Sequence, residues 1–171
     1  NFMVGEQFSL DEIIAPMLLN SSNVAAEAIA SSSDRVKFLE YMSSYAWEIG
    51  MPGSFFADPS GVSPRNAATA HDIFALAKYL VNYRPDVLAV TRTSRGMIAT
   101  TTEHGSHQLV STHPFANDPD FVGGKTGRTP EAGETMMTIM DIDGETIVII
   151  VLGSRYGSRE GDTRVLLEKI K

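Results

Sequence analysis

The sequence predicts an α+β domain in which helices precede an antiparallel sheet and a closing C-terminal helix. Through the first half of the chain, apolar residues recur at helical spacing behind capping residues. The second half has β-branched stretches separated by turn residues, with Asp143-Gly144 as a hairpin signal, and it ends on another helical pattern. We expect one domain, residues 1–171, with helices covering one face of the sheet.

The first helical segment, residues 8–30, contains a polar break. Ser9 and Glu12 have the spacing of a capping box at its start. Pro16 and the polar cluster at residues 20–23 then interrupt the apolar pattern before it resumes. A break of this kind leaves polar groups pointing into a cleft.

The remaining helices are predicted from capping and helix-terminating residues, and the strands from alternating apolar and polar residues. Helices are predicted for residues 34–49, for 69–83, for a short stretch after Asp86 and for 161–171; strands are predicted for 121–127, 134–141 and 145–152. Residues 104–120 are predicted to form a long surface excursion. Trp47 and three methionines, Met136, Met137 and Met140, are predicted to pack in the core.

The amino-acid composition excludes several classes of function. The net charge is -7 and the 14 basic residues are scattered, so nucleic acid is not an expected partner. The chain has no cysteine, which excludes thiol nucleophiles and Cys-based zinc sites. His104, His107 and His113 lack a metal-site pattern and are predicted to lie in turns on the surface. We therefore predict no metal and no cofactor.

The triplet Lys125-Thr126-Gly127 suits carboxylate binding on a strand. It places an ammonium beside a hydroxyl, and the glycine lets a ligand backbone lie against the strand. By itself the triplet is more typical of a strand that enters a turn. A phosphate-binding loop is excluded because the required upstream glycine is absent.

Ser21 and Asn23 form a second motif at the helical break. A hydroxyl and a carboxamide two residues apart can relay a proton and hold a peptide carbonyl. An ordinary helix cap is the alternative interpretation, because Ser and Asn favour such positions.

Together the two motifs resemble the low-molecular-mass D-alanyl-D-alanine carboxypeptidases, penicillin-binding serine peptidases of family S11. Matching segments follow in order along the chain: 17–26 around the Ser-x-Asn motif, 49–51, 56–62, 69–72, 124–129 with 132–133, and 151–153 with Arg159. The resemblance implies a serine β-lactamase/DD-peptidase-like fold. It also implies an acyl-enzyme hydrolase that removes the terminal D-alanine of peptidoglycan stem peptides and is acylated by β-lactams.

The resemblance also implies roles for catalytic residues. Lys125 is expected to bind the terminal carboxylate of the substrate or of a β-lactam. Ser21 is expected to pass a proton to the leaving amine, and Asn23 is expected to hold the amide of the acyl chain.

Five further positions are implied to bind substrate. Thr126 shares the carboxylate with the lysine, and the backbone N–H of Arg128 is one oxyanion-hole donor. Gly127 and Thr129 belong to the same block. Arg159 either adds positive charge near the carboxylate or is a solvated arginine at a helix start.

The resemblance is incomplete at the nucleophile. No serine in the chain has a lysine three residues later, and only 20 residues precede Ser21. We therefore expect an N-terminally incomplete catalytic domain that lacks two strands and the nucleophile helix and is inactive alone. The strand at 145–152 would then have an open edge, which we expect the missing segment or a second chain to cover.

Two other functions stay open. One is a class A-like β-lactamase, which is disfavoured because no Glu-x-x-Leu-Asn pattern lies between Ser21 and Lys125. The other is a non-catalytic remnant that binds muropeptides. The resemblance places the protein outside the cytoplasm, in the periplasm, at the cell surface or secreted, with any membrane attachment through parts absent from this chain.

Overall fold

The computed structural model describes residues 2–170, which form six helices and five strands. In chain order these are α1 (Leu10–Leu18), α2 (Asn23–Ser31), α3 (Arg35–Glu48), α4 (Ala70–Tyr83), α5 (Pro85–Arg92), β1 (Arg95–Ile98), β2 (His107–Val110), β3 (Phe121–Thr129), β4 (Gly133–Ile142), β5 (Glu145–Ser154) and α6 (Arg159–Glu168). The predicted α+β class is confirmed. Within the described residues, every helix is too short or too polar to span a bilayer.

The main sheet is an antiparallel meander with the order β3-β4-β5, and β1 and β2 form a separate hairpin. Asp143 and Gly144 connect β4 to β5 with φ angles of 54° and 82°. Such a tight turn requires left-handed backbone at both residues, which Asp-Gly supplies. The predicted meander and hairpin turn are therefore confirmed. Within residues 2–170, β5 pairs with β4 alone, and the predicted cover of its other edge stays a prediction.

The core lies on both faces of the main sheet. Side chains alternate along β4, so Met137 faces α4 and α5, where it packs with Ala77 and Leu88. Met136 and Met140 face the other way and pack with Phe115, Phe121 and Leu167 of α6. All three methionines are buried, as predicted. The prediction that only one face is covered is wrong, because α6 returns to the second face.

The predicted polar break separates α1 from α2. Ser9 and Glu12 form the capping box at the start of α1. Pro16 lies inside α1, which continues for two more residues and ends just before the polar cluster. Ser22 caps α2 by accepting a hydrogen bond of 3.2 Å from the Ala25 N–H.

Trp47 contradicts its predicted place in the core, since it is 68% exposed. Its neighbour Ala46 is buried. Successive residues are turned by about 100° around a helix of 3.6 residues per turn, so the face of α3 that buries Ala46 points Trp47 outward.

Residues 104–120 also differ from the predicted surface excursion. They contain β2, and the side chains of His104 and His113 are buried rather than exposed. His104 stacks on Phe8 with ring centroids 4.3 Å apart. His113 stacks on Phe121 at 4.5 Å. Each histidine is buried by an aromatic ring from another part of the chain.

The loop at residues 58–66 is organised around the buried carboxylate of Asp58. Its oxygens accept hydrogen bonds from four backbone N–H groups, one hydroxyl and one carboxamide, supplied by Ser60, Gly61, Val62, Ser63 and Asn66. Burial acts to raise the pKa of the Asp58 carboxyl, but these hydrogen bonds outweigh burial and hold it well below its usual range.

Candidate active site

Ser21 lies at the break between α1 and α2 in a strained backbone conformation. Its φ angle is 55°, and among residues 2–170 only Ser21 and Asp143 combine a positive φ with a side chain. Left-handed backbone is unfavourable for a residue with a Cβ, and such strain gathers at functional sites. Asn23 follows as the first residue of α2 and is exposed.

We expect Ser21→Gly to be more stable than Ser21→Ala by about 1 kcal/mol, because only glycine adopts this φ without a Cβ conflict. Both variants lose the same hydroxyl, so the comparison isolates the backbone. Urea denaturation of the two proteins measures the difference. Equal stabilities, or a more stable alanine variant, would show that position 21 is unstrained.

Lys125 brings the two sequence motifs together. Its Nζ donates a hydrogen bond of 2.6 Å to Ser21 Oγ across 104 residues of sequence. A second hydrogen bond of 2.9 Å runs from Nζ to the Thr126 carbonyl oxygen. Charge-assisted hydrogen bonds of this length are among the stronger polar contacts in proteins.

The ammonium of Lys125 is half-buried beside another positive charge. Burial lowers the pKa of Lys125 to about 8, and Arg159 acts in the same direction. Arg159 itself is tied to the site strand, since its Nη1 donates a hydrogen bond of 3.0 Å to the Gly127 carbonyl oxygen. Of the two interpretations of Arg159, this contact favours added positive charge at β3 over a solvated helix start.

Thr126 is buried, and its hydroxyl lies 2.8 Å from the Thr112 hydroxyl. The Thr112 N–H also donates a hydrogen bond of 3.0 Å to the Leu19 carbonyl oxygen, two residues before Ser21. Sequence reasoning missed Thr112. A lone threonine in a turn-rich segment gives no signal of such contacts.

His113, which was predicted to lie on the surface, is buried behind the site strand. Its Nε2 is 3.1 Å from the Met137 carbonyl oxygen, and its Nδ1 accepts from the Phe115 N–H at 3.3 Å. Burial lowers the pKa of His113 to about 4, so the ring is neutral near pH 7. A Cβ on Gly124 would collide with the Met137 carbonyl oxygen and this ring. His113 therefore has a packing role.

The remaining predicted residues lie further along β3. Gly127 leaves room for the hydroxyl of Thr135, since a Cβ would lie 2.5 Å from Thr135 Oγ1. The exposed guanidinium of Arg128 lies 4.9 Å from the centre of the Tyr156 ring. Thr129 Oγ1 accepts from the Ala132 N–H at 3.1 Å, so its hydroxyl is used in the β3–β4 turn. The structure thus joins Ser21 to Lys125, but not to the side chains of Arg128 and Thr129.

No group of three or more His, Asp or Glu side chains in residues 2–170 is arranged to hold a metal ion. The groups described at the site are hydroxyls, a carboxamide, the ammonium of Lys125, the guanidinium of Arg159 and backbone groups. The site is suited to bind an anion and to pass a proton through Ser21.

The family model described as D-alanyl-D-alanine carboxypeptidase, peptidase family S11, matches residues 1–156. The chain belongs to this family. As a member of family S11, it is 31% identical over 170 residues to a D-alanyl-D-alanine endopeptidase of Haemophilus influenzae, covering 94% of this chain and 56% of that protein. It is 28% identical over 132 residues to the D-alanyl-D-alanine carboxypeptidase DacF of Bacillus subtilis, covering 75% and 33%.

Solved structures agree with the S11 assignment. Penicillin-Binding Protein D2 from Listeria monocytogenes, in its cefotaxime-bound form, is 29% identical with a TM-score of 0.83. The match covers 94% of this chain and 66% of that one. The predicted DD-peptidase-like fold is therefore confirmed. The S11 chain spans about half the length of the Haemophilus relative.

Proposed function

We propose that this chain forms part of a serine-type DD-peptidase domain that removes the terminal D-alanine of stem peptides and is acylated by β-lactams. The observation that carries the proposal is the 2.6 Å hydrogen bond from Lys125 to Ser21, which joins the Ser-x-Asn and Lys-Thr-Gly motifs in one site. Membership of family S11 and the cefotaxime-bound relative support it.

In the proposed reaction a serine Oγ attacks the carbonyl carbon between two D-alanines, the C–N bond breaks, and an ester forms. The proton released by the attacking hydroxyl reaches the departing amine through Ser21. Lys125 holds the Ser21 oxygen while its charge attracts the terminal carboxylate. Asn23 holds the acyl amide. The Arg128 N–H is proposed as one donor to the oxyanion. Water then cleaves the ester.

The attacking serine is proposed to come from a Ser-x-x-Lys sequence, which does not occur in these 171 residues. The members of such a site act as a unit, so this chain alone is expected to be inactive. We further infer that residues 1–171 belong to one catalytic domain and that it works outside the cytoplasm, where its substrate is located.

A second candidate is a DD-endopeptidase, because relatives from Haemophilus influenzae and Pseudomonas aeruginosa have that name. The acyl-transfer chemistry is the same. The leaving group is a D-alanine in the carboxypeptidase and a cross-linked stem peptide in the endopeptidase.

The test uses the product of the whole reading frame that contains this sequence. It is incubated with a pentapeptide ending in D-Ala-D-Ala, with cross-linked muropeptide dimers, and with a fluorescent penicillin. We expect release of D-alanine and a labelled protein. Cleavage of dimers alone favours the endopeptidase, and rapid nitrocefin turnover favours a β-lactamase. A protein that binds muropeptides but is neither acylated nor active is a non-catalytic remnant.

The Lys125 charge predicts a pH dependence. Because its pKa is about 8, the ammonium loses its proton as the pH rises through 8, and carboxylate binding weakens. We expect KM for the pentapeptide to rise about tenfold between pH 7 and pH 9, in proportion to the lost charged form. Lys125→Arg stays charged and serves as the control. A KM that is constant over this range would contradict the role given to Lys125.

A further inference from the structure

Thr112 contacts both segments that carry the candidate site. Its N–H bonds to the Leu19 carbonyl oxygen at the end of α1, and its Oγ1 bonds to Thr126 Oγ1 on β3. These two contacts connect the turn that holds Ser21 to the strand that holds Lys125. The side chain of Thr112 is exposed, whereas Thr126 is buried at 6% exposure.

Once an anion is bound, one of the two hydroxyls, Thr112 or Thr126, becomes the preferred donor of the hydrogen bond between them. Each hydroxyl has one hydrogen, and either oxygen can be the donor in the free protein. If Thr126 donates its hydrogen to a carboxylate, its oxygen is left to accept from Thr112. Thr112 lies at the surface, so water can donate to its oxygen in turn. Hydrogen bonds arranged in such a chain polarise and strengthen one another.

We propose that Thr112 is a positioning residue for recognition of the substrate carboxylate. It acts through Thr126: the Thr112 hydroxyl holds the Thr126 hydrogen toward the ligand, and the Thr112 backbone holds the Ser21 turn beside β3. This inference rests on the proposed function, because it assigns the anion to the carboxylate of a stem peptide or a β-lactam.

The test compares variants of the full reading-frame product. Thr112→Val removes the hydroxyl and keeps the shape, and Thr112→Ser restores a hydroxyl. Thr93→Val is the matched control, because Thr93 is exposed and its hydroxyl bonds only locally, to the Ala89 carbonyl oxygen at 3.3 Å. Acylation is measured with benzylpenicillin, which carries the carboxylate, and with its methyl ester, which does not.

We expect Thr112→Val to lower the second-order acylation rate of benzylpenicillin about tenfold, the size of one hydrogen bond to a charged group. The loss should appear in the apparent dissociation constant rather than in the maximal rate. With the methyl ester, Thr112→Val should react within about twofold of the rate of the unmodified protein. With benzylpenicillin, Thr112→Ser should recover most of the rate, and Thr93→Val should match the unmodified protein.

Thr112→Val should have little effect in a Thr126→Val background, because Thr112 acts through the Thr126 hydroxyl that the second change removes. Equal losses for penicillin and ester, fully additive losses, or no loss in Thr112→Val would overturn the role of Thr112 and leave the proposed function standing. An unmodified protein that no penicillin acylates would overturn the proposed function and the Thr112 assignment with it.

Discussion

Replacing Lys125 with Met is expected to lower the acylation rate of the full reading-frame product by about 10²- to 10⁴-fold, the range for losing a group that assists proton transfer or stabilises charge. The variant loses both the charge near the substrate carboxylate and the hydrogen bond to Ser21. The measurement is the second-order rate of labelling by a fluorescent penicillin.

The same variant should not lose stability. At pH 7 Lys125 is charged in the folded and the unfolded protein, and burial makes that charge unfavourable in the folded state. Methionine removes this penalty, so the free energy of unfolding should be unchanged or higher. Lys37→Met is the control, since the Lys37 side chain is 81% exposed. A labelling rate within threefold of the unmodified protein would refute the role of Lys125.

Replacing Asp58 with Asn should give a large loss of stability, although this residue lies outside the site. The new NH₂ group faces donors that now point at a carboxylate oxygen, such as the Ser63 N–H and the Asn66 carboxamide. Each buried donor left unpaired costs about 1–3 kcal/mol, so we expect a loss of about 3 kcal/mol or more. Urea denaturation followed by circular dichroism measures it.

The effect of Asp58→Asn should also depend on pH. The pKa of Asp58 lies below its unfolded value, so the carboxylate stabilises the protein above about pH 4 and less as the pH falls further. The difference between the two proteins should therefore shrink in acid. Asp141→Asn is the control, because that exposed carboxylate accepts one hydrogen bond from the Gly144 N–H. Equal losses at positions 58 and 141 would contradict the account of this loop.

Local patterns were sufficient to predict most elements and both motifs. Asp143-Gly144 specifies its turn by backbone conformation alone, and the apolar alternation around Met136 and Met137 reveals a strand wherever that strand packs. Ser21 and Lys125 could be singled out because each lies in a short motif of its own. Their meeting at 2.6 Å is a tertiary contact, and only the family resemblance suggested it.

The predictions that were wrong or missing share a physical cause. His104 and His113 are predicted at the surface because the segment around them is rich in turn residues and has little helical or strand periodicity. Their cover comes from Phe8 and Phe121, through packing that no local pattern encodes. Trp47 was predicted to be buried and is exposed, because the apolar residues of α3 are spread around the helix and do not mark one inward face. Thr112 was missed because its partners are Leu19 and Thr126, both distant in sequence.

The separation of 104 residues between Ser21 and Lys125 has a consequence for folding kinetics. The entropic cost of closing a loop grows slowly with its length, and it must be met before a long-range contact adds stability. A partly folded chain can contain α1, α2 and the β3–β4 hairpin and still lack a site. Any ligand that needs both side chains therefore binds only after the two halves have docked, and by mass action it stabilises the fully folded chain over every intermediate.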